Sequence, residues 1–547
     1  MTRSTVVGID GSASANRAVD WAVDTLVLGG RGLGRFGGFV LGSSGMALAG
    51  HAHSPVVIVR EPYSGSHGEV VAGFDGSPDA EAAPFDRGGG RSEPAAVDRA
   101  SLGDVLNLAV DVGPVPMQAG ACLVLEAGPG FDLDRARHLV SERVRAVPRL
   151  RQRLVPVPLG CGRPVWVDDP AFDLGHHLHV RTCPSPGDER ALLDLAAEII
   201  SRRLAPARPL WSITIVTGLA GDRVGLIACF HHVLADGIGG LAVLGALVDG
   251  TSEPAEGGAQ PATGQPETLL RRFPCPAPPL RRIAAEAWVS RLRALARLPH
   301  AGAVIRRAAA ELGAPSRVAR CSLNQPTGPH QSLATVTVRL DDVLGFAHAH
   351  GGTVNDAVLA AITGALRALL AGRGESVPEL VASVPVSART SATSDWLGNQ
   401  VGVMPVRLPT AGTLSERLER TAAITRARKS TFRKRQGSAA SWGSAELLAG
   451  MNRVLARVGA LGWFMDHQRL IHTAVTNLRG PEQPLAFNGA TVAAVIPISL
   501  ARGNVSVAFS VLSYAGALTI SVAADTDRTP DLPLLITALR GELAAMR

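Results

Sequence analysis

CFHHVLADGIGG, running from Cys229 to Gly240, follows the apolar strand-like run RVGLIACF and leads into an apolar helical pattern from about Ile238. A strand-to-helix junction of this kind is where side chains reach into a cleft. His231 and His232 are adjacent, Asp236 stands four residues beyond His232, and Gly237 follows it. A neutral imidazole, with a pKa near about 6.5, accepts a proton from a hydroxyl at neutral pH. The Asp236 carboxylate can orient a ring or pair with an arginine, and Gly237 lets the backbone turn tightly or approach a ligand. The plainer alternative keeps both histidines as satisfied core residues and Asp236 as the cap of the next helix.

Working outward, strands and helices interleave on both sides of this segment. Before it lie helical patterns at 132–146 and 188–203 and the strand-like run WSITIVTG. After it, residues 250–280 hold Pro, Gly and Glu with little periodicity, which reads as a linker. Beyond the linker come an Arg/Ala helix near 281–312, the alternating strand SLATVTVRL and the apolar helix TVNDAVLAAITGALRALL. NVSVAFSVLSYAGALTISVAAD then reads as a hairpin, two alternating runs around a Gly-containing turn. The expected architecture is α/β (α+β) in two lobes, 99–249 and 281–547, joined by 250–280.

The chain has 547 residues, 46% of them hydrophobic and 18% charged, which is a globular composition and excludes a mainly disordered or fibrous protein. Lys429 and Lys434 are the only lysines, so 52 of the 54 basic residues are arginine, a bias that reads as a GC-rich genome. The net charge of +7 suits an anionic partner, a phosphate-bearing ligand or a lipid surface. Aromatic residues make up only 4%, too few for base-stacking platforms, so nucleic acid is not expected. The six cysteines contain no C-x-x-C pair, which suggests neither a zinc site nor a disulfide framework and fits a reducing cytoplasm. The opening MTRSTVVGIDGS lacks a signal-peptide layout, and no uninterrupted apolar run of spanning length is present.

His-His-x-x-x-Asp-Gly after a strand resembles the signature of the acyl-CoA-dependent acyltransferase superfamily, which includes chloramphenicol acetyltransferase, condensation domains and wax ester synthases. Further stretches in the expected order are FDLGHHLHV at 172–180, PLW at 209–211, TVNDAVLAA at 353–361, LGN at 397–399 and TNLRGP at 476–481. Together they resemble the bacterial wax ester synthase/acyl-CoA:diacylglycerol acyltransferase family over roughly Arg99 to Arg547. The resemblance implies a two-lobed chloramphenicol acetyltransferase-like, condensation-domain-like fold.

It also implies that His232 is a general base. His232 would deprotonate the hydroxyl of a diacylglycerol or fatty alcohol, which attacks the thioester of a fatty acyl-CoA within a ternary complex. No G-x-S-x-G motif is present, which disfavours a covalent acyl-enzyme. His231, Asp236 and Gly237 would act as supports, and Asn355 is the candidate oxyanion donor. Pro209, Leu210, Trp211, Asp356, Asn477, Gly480 and Pro481 would bind substrate or serve structure. Acyl-CoA is a substrate here, and no cofactor is implied. The expected setting is cytoplasmic, at a membrane or lipid-droplet surface. Two other readings stay open: a related acyltransferase acting on a polyketide, glycolipid or amine, and a non-catalytic lipid- or nucleotide-binding stress protein.

His176, His177 and His179 form a second histidine group, but no Cys, Asp or Glu stands at obvious ligand spacing, so a polar strand edge is expected and metal is not. RARKSTFRKR at 426–435 is the densest positive run, either a solvated helix face or a contact for lipid or coenzyme A phosphates. Residues 1–60 resemble the universal stress protein family. Asp10 falls at its nucleotide-binding start, and Gly29, Gly32, Gly42 and Ser43 match its phosphate-binding glycine pattern. VVAGFDGSPDAEAA at 70–83 begins a second copy within the linker 61–98. The middle strand–helix units of that fold are missing, so a degenerate appendage is expected.

Overall fold

The computed structural model describes residues 97–128, 130–158, 161–234, 237–249, 273–296, 318–387, 401–436 and 459–547, together with three short strands. The chain divides into two compact units, Met1–Ala95 and Ala96–Arg547. In the first, β1 (Thr5–Val6), β2 (Leu26–Gly30) and β3 (Val56–Arg60) pair in parallel in that order. Strand β1 covers the start of the run TVVGID, and Gly29 lies within β2. The second copy expected at 70–83, with Asp10, Gly32, Gly42 and Ser43, lies outside the described residues.

The second unit is built on two six-stranded sheets. One takes the order β14 (Ala486–Phe487), β15 (Ala490–Ser499), β4 (Gln118–Glu126), β9 (Arg223–His231), β8 (Trp211–Leu219) and β7 (Leu178–Thr182). The other runs β10 (Gln331–Arg339), β17 (Ala517–Asp525), β16 (Val507–Tyr514), β13 (Thr473–Arg479), β11 (Glu379–Ser387) and β12 (Val401–Pro409). A two-stranded ribbon pairs β5 (Gln152–Val155) with β6 (Val165–Asp168).

The central strands read as near-continuous apolar runs because both of their faces are covered. On β9, Leu226, Ala228 and Phe230 pack with Ala136, Val140 and Val144 of helix α2 (Leu133–Ala146). The intervening Ile227 and Cys229 pack against Leu192, Ala196 and Ile200 of helix α3 (Glu189–Ser201). The two-residue period of the strand divides its side chains between the two layers. Helix α2 is capped by Asp132 and α3 by Asp188, each side chain accepting a backbone N–H of the first turn.

The two sheets are not divided cleanly at 250–280. Strand β15 lies in the region assigned from sequence to the second lobe, yet it pairs antiparallel with β4 in the first sheet. The chain then returns, and β16 lies in the second sheet between β13 and β17. Ser499 at the end of β15 accepts the Ser510 hydroxyl of β16 at 2.7 Å, so the crossing strand is tied to both sheets. The expected C-terminal hairpin is β16–β17, closed with Tyr514 opposite Ala517.

Ahead of β4 lies helix α1 (Leu102–Val110), closed by a capping box between Ser101 and Asp104. Helix α4 (Gly237–Leu247) follows the histidine pair, and α5 (Leu280–Ala296) covers the described part of the expected Arg/Ala helix. In the second lobe come α6 (Leu340–Ala349), α7 (Val354–Gly372), α8 (Leu414–Gln436), α9 (Ala460–His467) and α10 (Leu532–Ala544). Among the described residues α7 is long and apolar enough to cross a membrane, but 72% of its apolar window is buried inside the protein. It packs with Val384, Val406, Phe509 and Leu539 in the second core, which accounts for its composition.

Candidate active site

His231 is the last residue of β9, directly opposite Gln118 at the start of β4. Its backbone N–H donates to the Leu210 carbonyl at 3.0 Å, and that of His232 donates to the Met117 carbonyl at 2.9 Å. The pair is therefore pinned from both sides, by the chain entering β8 and the chain entering β4. The two rings differ in their surroundings. His231 is buried, whereas His232 is partly exposed.

The His231 ring is fully occupied. Its Nδ1 accepts the Val233 backbone N–H at 3.0 Å, so the ring hydrogen stands on Nε2, which faces Asp111 Oδ2 at 3.3 Å. Asp111 follows the C-terminus of α1. Its carboxylate also accepts the Met117 backbone N–H at 2.7 Å and Arg203 Nη1 at 2.6 Å. Burial opposes the Asp111 charge. The bonds from His231, Met117 and Arg203 outweigh it and hold the carboxyl well below the usual carboxylate range. From the same helix, Asn107 Nδ2 reaches the His232 carbonyl at 3.4 Å.

Arg502, just past β15, braces this region from behind. It donates to the carbonyls of Val110 at 2.8 Å and Val115 at 3.4 Å, and it touches the Met117 sulfur. Burial pulls its guanidinium down to about 10 with the Asp111 carboxylate opposing, so it is cationic at neutral pH. Cys229, two residues before His231, is buried, and its thiol is pushed up to about 12 by that burial. A thiol held protonated in this way is no nucleophile.

The PLW stretch is part of the frame around the histidines. Leu210 accepts the His231 N–H, and the buried Trp211 donates its indole N–H to the Leu150 carbonyl at 2.6 Å. Pro209 accepts the Trp211 N–H at 3.0 Å, closing the turn into β8. His177 does not sit on a polar strand edge with His179. It precedes β7, is buried, and stacks between Phe172 and Trp211 with Nδ1 against the Trp211 carbonyl at 2.9 Å. Among the described residues no three His, Cys, Asp or Glu side chains are grouped to hold a metal ion.

Two separated asparagines come together in the second lobe. Asn355 stands in the first turn of α7, and Asn477 on β13 donates its amide to Asn355 Oδ1 at 3.3 Å. The neighbouring Asp356 is buried in a capping box with Thr353 and also accepts the Thr425 hydroxyl of α8 at 2.7 Å. Its oxygens are taken up by structure. Gly480 sits where a Cβ would lie 2.5 Å from the Ser513 carbonyl, so only glycine allows β13 to leave beside β16. Pro481 is exposed, and its carbonyl accepts the Ala515 N–H at 3.0 Å. Gly237 is the first residue of α4, which packs against β13, and Asp236 lies outside the described residues.

The two-sheet architecture with a histidine pair closing a central strand defines a chloramphenicol acetyltransferase-like, condensation-domain-like acyltransferase. Residues 102–358 match the wax ester synthase/diacylglycerol acyltransferase catalytic domain and residues 397–547 the WS/DGAT C-terminal domain, while 23–60 match the universal stress protein family. A Mycobacterium bovis protein named as a diacylglycerol O-acyltransferase is 31% identical over 438 residues, covering 79% of this chain and 91% of that protein. A second relative so named, from Mycobacterium tuberculosis, is 28% identical over 477 residues, covering 82% and 91%. The solved wax ester synthase/diacylglycerol acyltransferase of Marinobacter aquaeolei shares the fold at a TM-score of 0.56 and 22% identity, covering 82% of this chain and 98% of that one. The first condensation domain of the calcium-dependent antibiotic synthetase does so at 0.51 and 17%, covering 83% and 96%. The chain belongs to the wax ester synthase/diacylglycerol acyltransferase family and is an acyl-CoA-dependent O-acyltransferase of that type.

Proposed function

We propose that His232 is the general base of a direct transfer from fatty acyl-CoA to the hydroxyl of diacylglycerol or a long-chain alcohol, giving triacylglycerol or wax ester. The observation that carries this is the division of labour in the histidine pair. Both ring nitrogens of His231 are committed to Val233 and Asp111, so the partly exposed His232 is the ring placed to meet a substrate. His232 takes the hydroxyl proton as the alkoxide oxygen bonds to the thioester carbonyl carbon. The resulting oxyanion is met by the amide of Asn355. Collapse expels the coenzyme A thiolate, which takes the proton back from the imidazolium. Diacylglycerol is favoured as acceptor by the names of the mycobacterial relatives.

The enzyme works at the edge of a cytoplasmic membrane or lipid droplet, where acceptor and acyl chains are found. Helix α9 supports this reading. It packs against α1, the helix behind the histidine turn, and exposes Trp463 at 65% and Phe464 at 44%. Arg426 and Arg428 of α8 are also exposed.

The test is purified protein with palmitoyl-CoA and either diolein or hexadecanol, following free thiol release. His232→Ala lowers the rate by about two to four orders of magnitude, the usual worth of a positioned base. Near-normal turnover in that variant would overturn the assignment, and no thiol release with either acceptor would turn the reading toward another acceptor class.

A further inference from the structure

We propose that Asp111 is a positioning residue for acyl transfer, fixing the orientation of the His231–His232 turn through His231 and Met117. This rests on His232 as the base and adds a residue outside the stretches HHVLADG, PLW, TVNDAVLAA and TNLRGP. Asp111 makes contact on both sides of the histidine pair. One oxygen receives His231 Nε2–H and the other receives the backbone N–H of Met117, whose own carbonyl accepts the His232 N–H. The single carboxylate thus holds the ring of one histidine and the segment that anchors the backbone of the other.

The donors around Asp111 leave little freedom. Arg203 shares Oδ2 with His231 and continues to the Gly113 carbonyl at 3.1 Å, while Arg502 grips Val110 and Val115 on either side. An asparagine at 111 has one acceptor oxygen where the carboxylate has two. It must leave either Met117 N–H or the His231 and Arg203 donors facing an amide NH2. Either loss lets the turn drift, and a displacement of about 1 Å at a reacting group can cost roughly 100-fold in rate.

The test compares Asp111→Asn, His231→Asn and the double variant by steady-state kinetics with palmitoyl-CoA and diolein. His231→Asn keeps an acceptor near the Nδ1 position for Val233 but cannot reach Asp111, so it severs the same link from the other end. Each single variant lowers kcat by roughly 10- to 100-fold with the KM for palmitoyl-CoA within about threefold of wild type. The double variant is no slower than the slower single one, because the two residues act as a unit. Wild-type kcat in either single variant, a loss confined to KM, or losses that multiply in the double variant would each overturn the proposal. If Asp111→Asn does not fold, the kcat and KM of His231→Asn decide between the same outcomes. His232→Ala, run alongside, separates the two roles: an inactive His232→Ala with fully active Asp111 and His231 variants leaves the base in place and removes only the positioning role.

Discussion

Asn477 on β13 donates its side-chain amide to Asn355 Oδ1 at the start of α7, 3.3 Å away. The contact joins residues 122 positions apart in the chain. The oxygen of the Asn355 amide is bonded, and among the described residues no acceptor engages its NH2 group. A preorganised donor aimed at a developing oxyanion is worth about 100- to 1,000-fold in kcat. Asn355→Ala is therefore expected to lower kcat and kcat/KM together by that factor. Asn477→Ala keeps the donor and frees its orientation, so a smaller loss, on the order of tenfold, is expected from steady-state thiol release. An unchanged kcat in Asn355→Ala would show that this amide meets no oxyanion.

The buried histidines set a pH dependence of stability apart from catalysis. His472 accepts the Val381 N–H on Nδ1 at 2.9 Å and bonds the Ala319 carbonyl through Nε2 at 3.0 Å, so its two nitrogens are matched to a neutral ring. Burial lowers its pKa below the ordinary 6.5, and that of His177 likewise. Below the unfolded value the unfolded chain binds protons that the native rings refuse, so stability is lost as pH falls from about 6.5 toward the folded values. The melting temperature at pH 5.5 is expected to lie below that at pH 7.5. His472→Gln is expected to lower the baseline but reduce the difference. A difference as large as in wild type would remove His472 from the effect.

Trp211→Phe separates the frame from the chemistry. The substitution keeps an aromatic ring against His177 but removes the donor of the 2.6 Å bond to the buried Leu150 carbonyl. A buried carbonyl left without its partner costs about 1–3 kcal/mol. A lower urea midpoint with an unchanged slope is expected, with kcat per folded enzyme within about threefold of wild type. A large fall in kcat at unchanged stability would instead place Trp211 among the groups that meet substrate.

Much of this is visible in the chain. The spacing of His231, His232 and Asp236 draws attention to the end of β9, where the proposed base stands, and the apolar runs of β8 and β9 announce strands covered on both faces. The supports are not visible. Asp111 stands 120 positions from His231, and Arg502 stands 392 positions from the Val110 carbonyl it holds. Nothing local distinguishes them from other surface-type residues, because their role comes from burial that leaves donors in need of acceptors. Strand β15 is hidden for a related reason. Alternation shows that a segment is a strand, but pairing with β4 depends on a chain crossing that local pattern does not encode. The His177 ring misleads in the other direction: with His176 and His179 beside it, it reads as part of a polar strand edge, while the stack with Phe172 and Trp211 makes it core.

The lipid contact proposed for helix α9 can be tested directly. Trp463 and Phe464 are adjacent on it and both exposed, whereas Leu461 on the same helix is buried. Moving one large apolar side chain from water into lipid is worth roughly 1.5–3 kcal/mol, so loss of the pair should weaken vesicle binding by about two orders of magnitude or more if both rings insert. This term is insensitive to salt, whereas attraction of Arg426 and Arg428 to anionic headgroups falls as the Debye length shrinks. Co-sedimentation of the Trp463→Ala/Phe464→Ala variant with vesicles of phosphatidylcholine and phosphatidylglycerol, at low and high salt, resolves the two contributions. The variant should lose binding at both salt concentrations, yet turn over a water-soluble short-chain alcohol at the wild-type rate. Undiminished vesicle binding would assign the surface contact to another face, and loss of turnover with the soluble acceptor would mean that α9 supports the histidine turn through α1 instead of docking lipid.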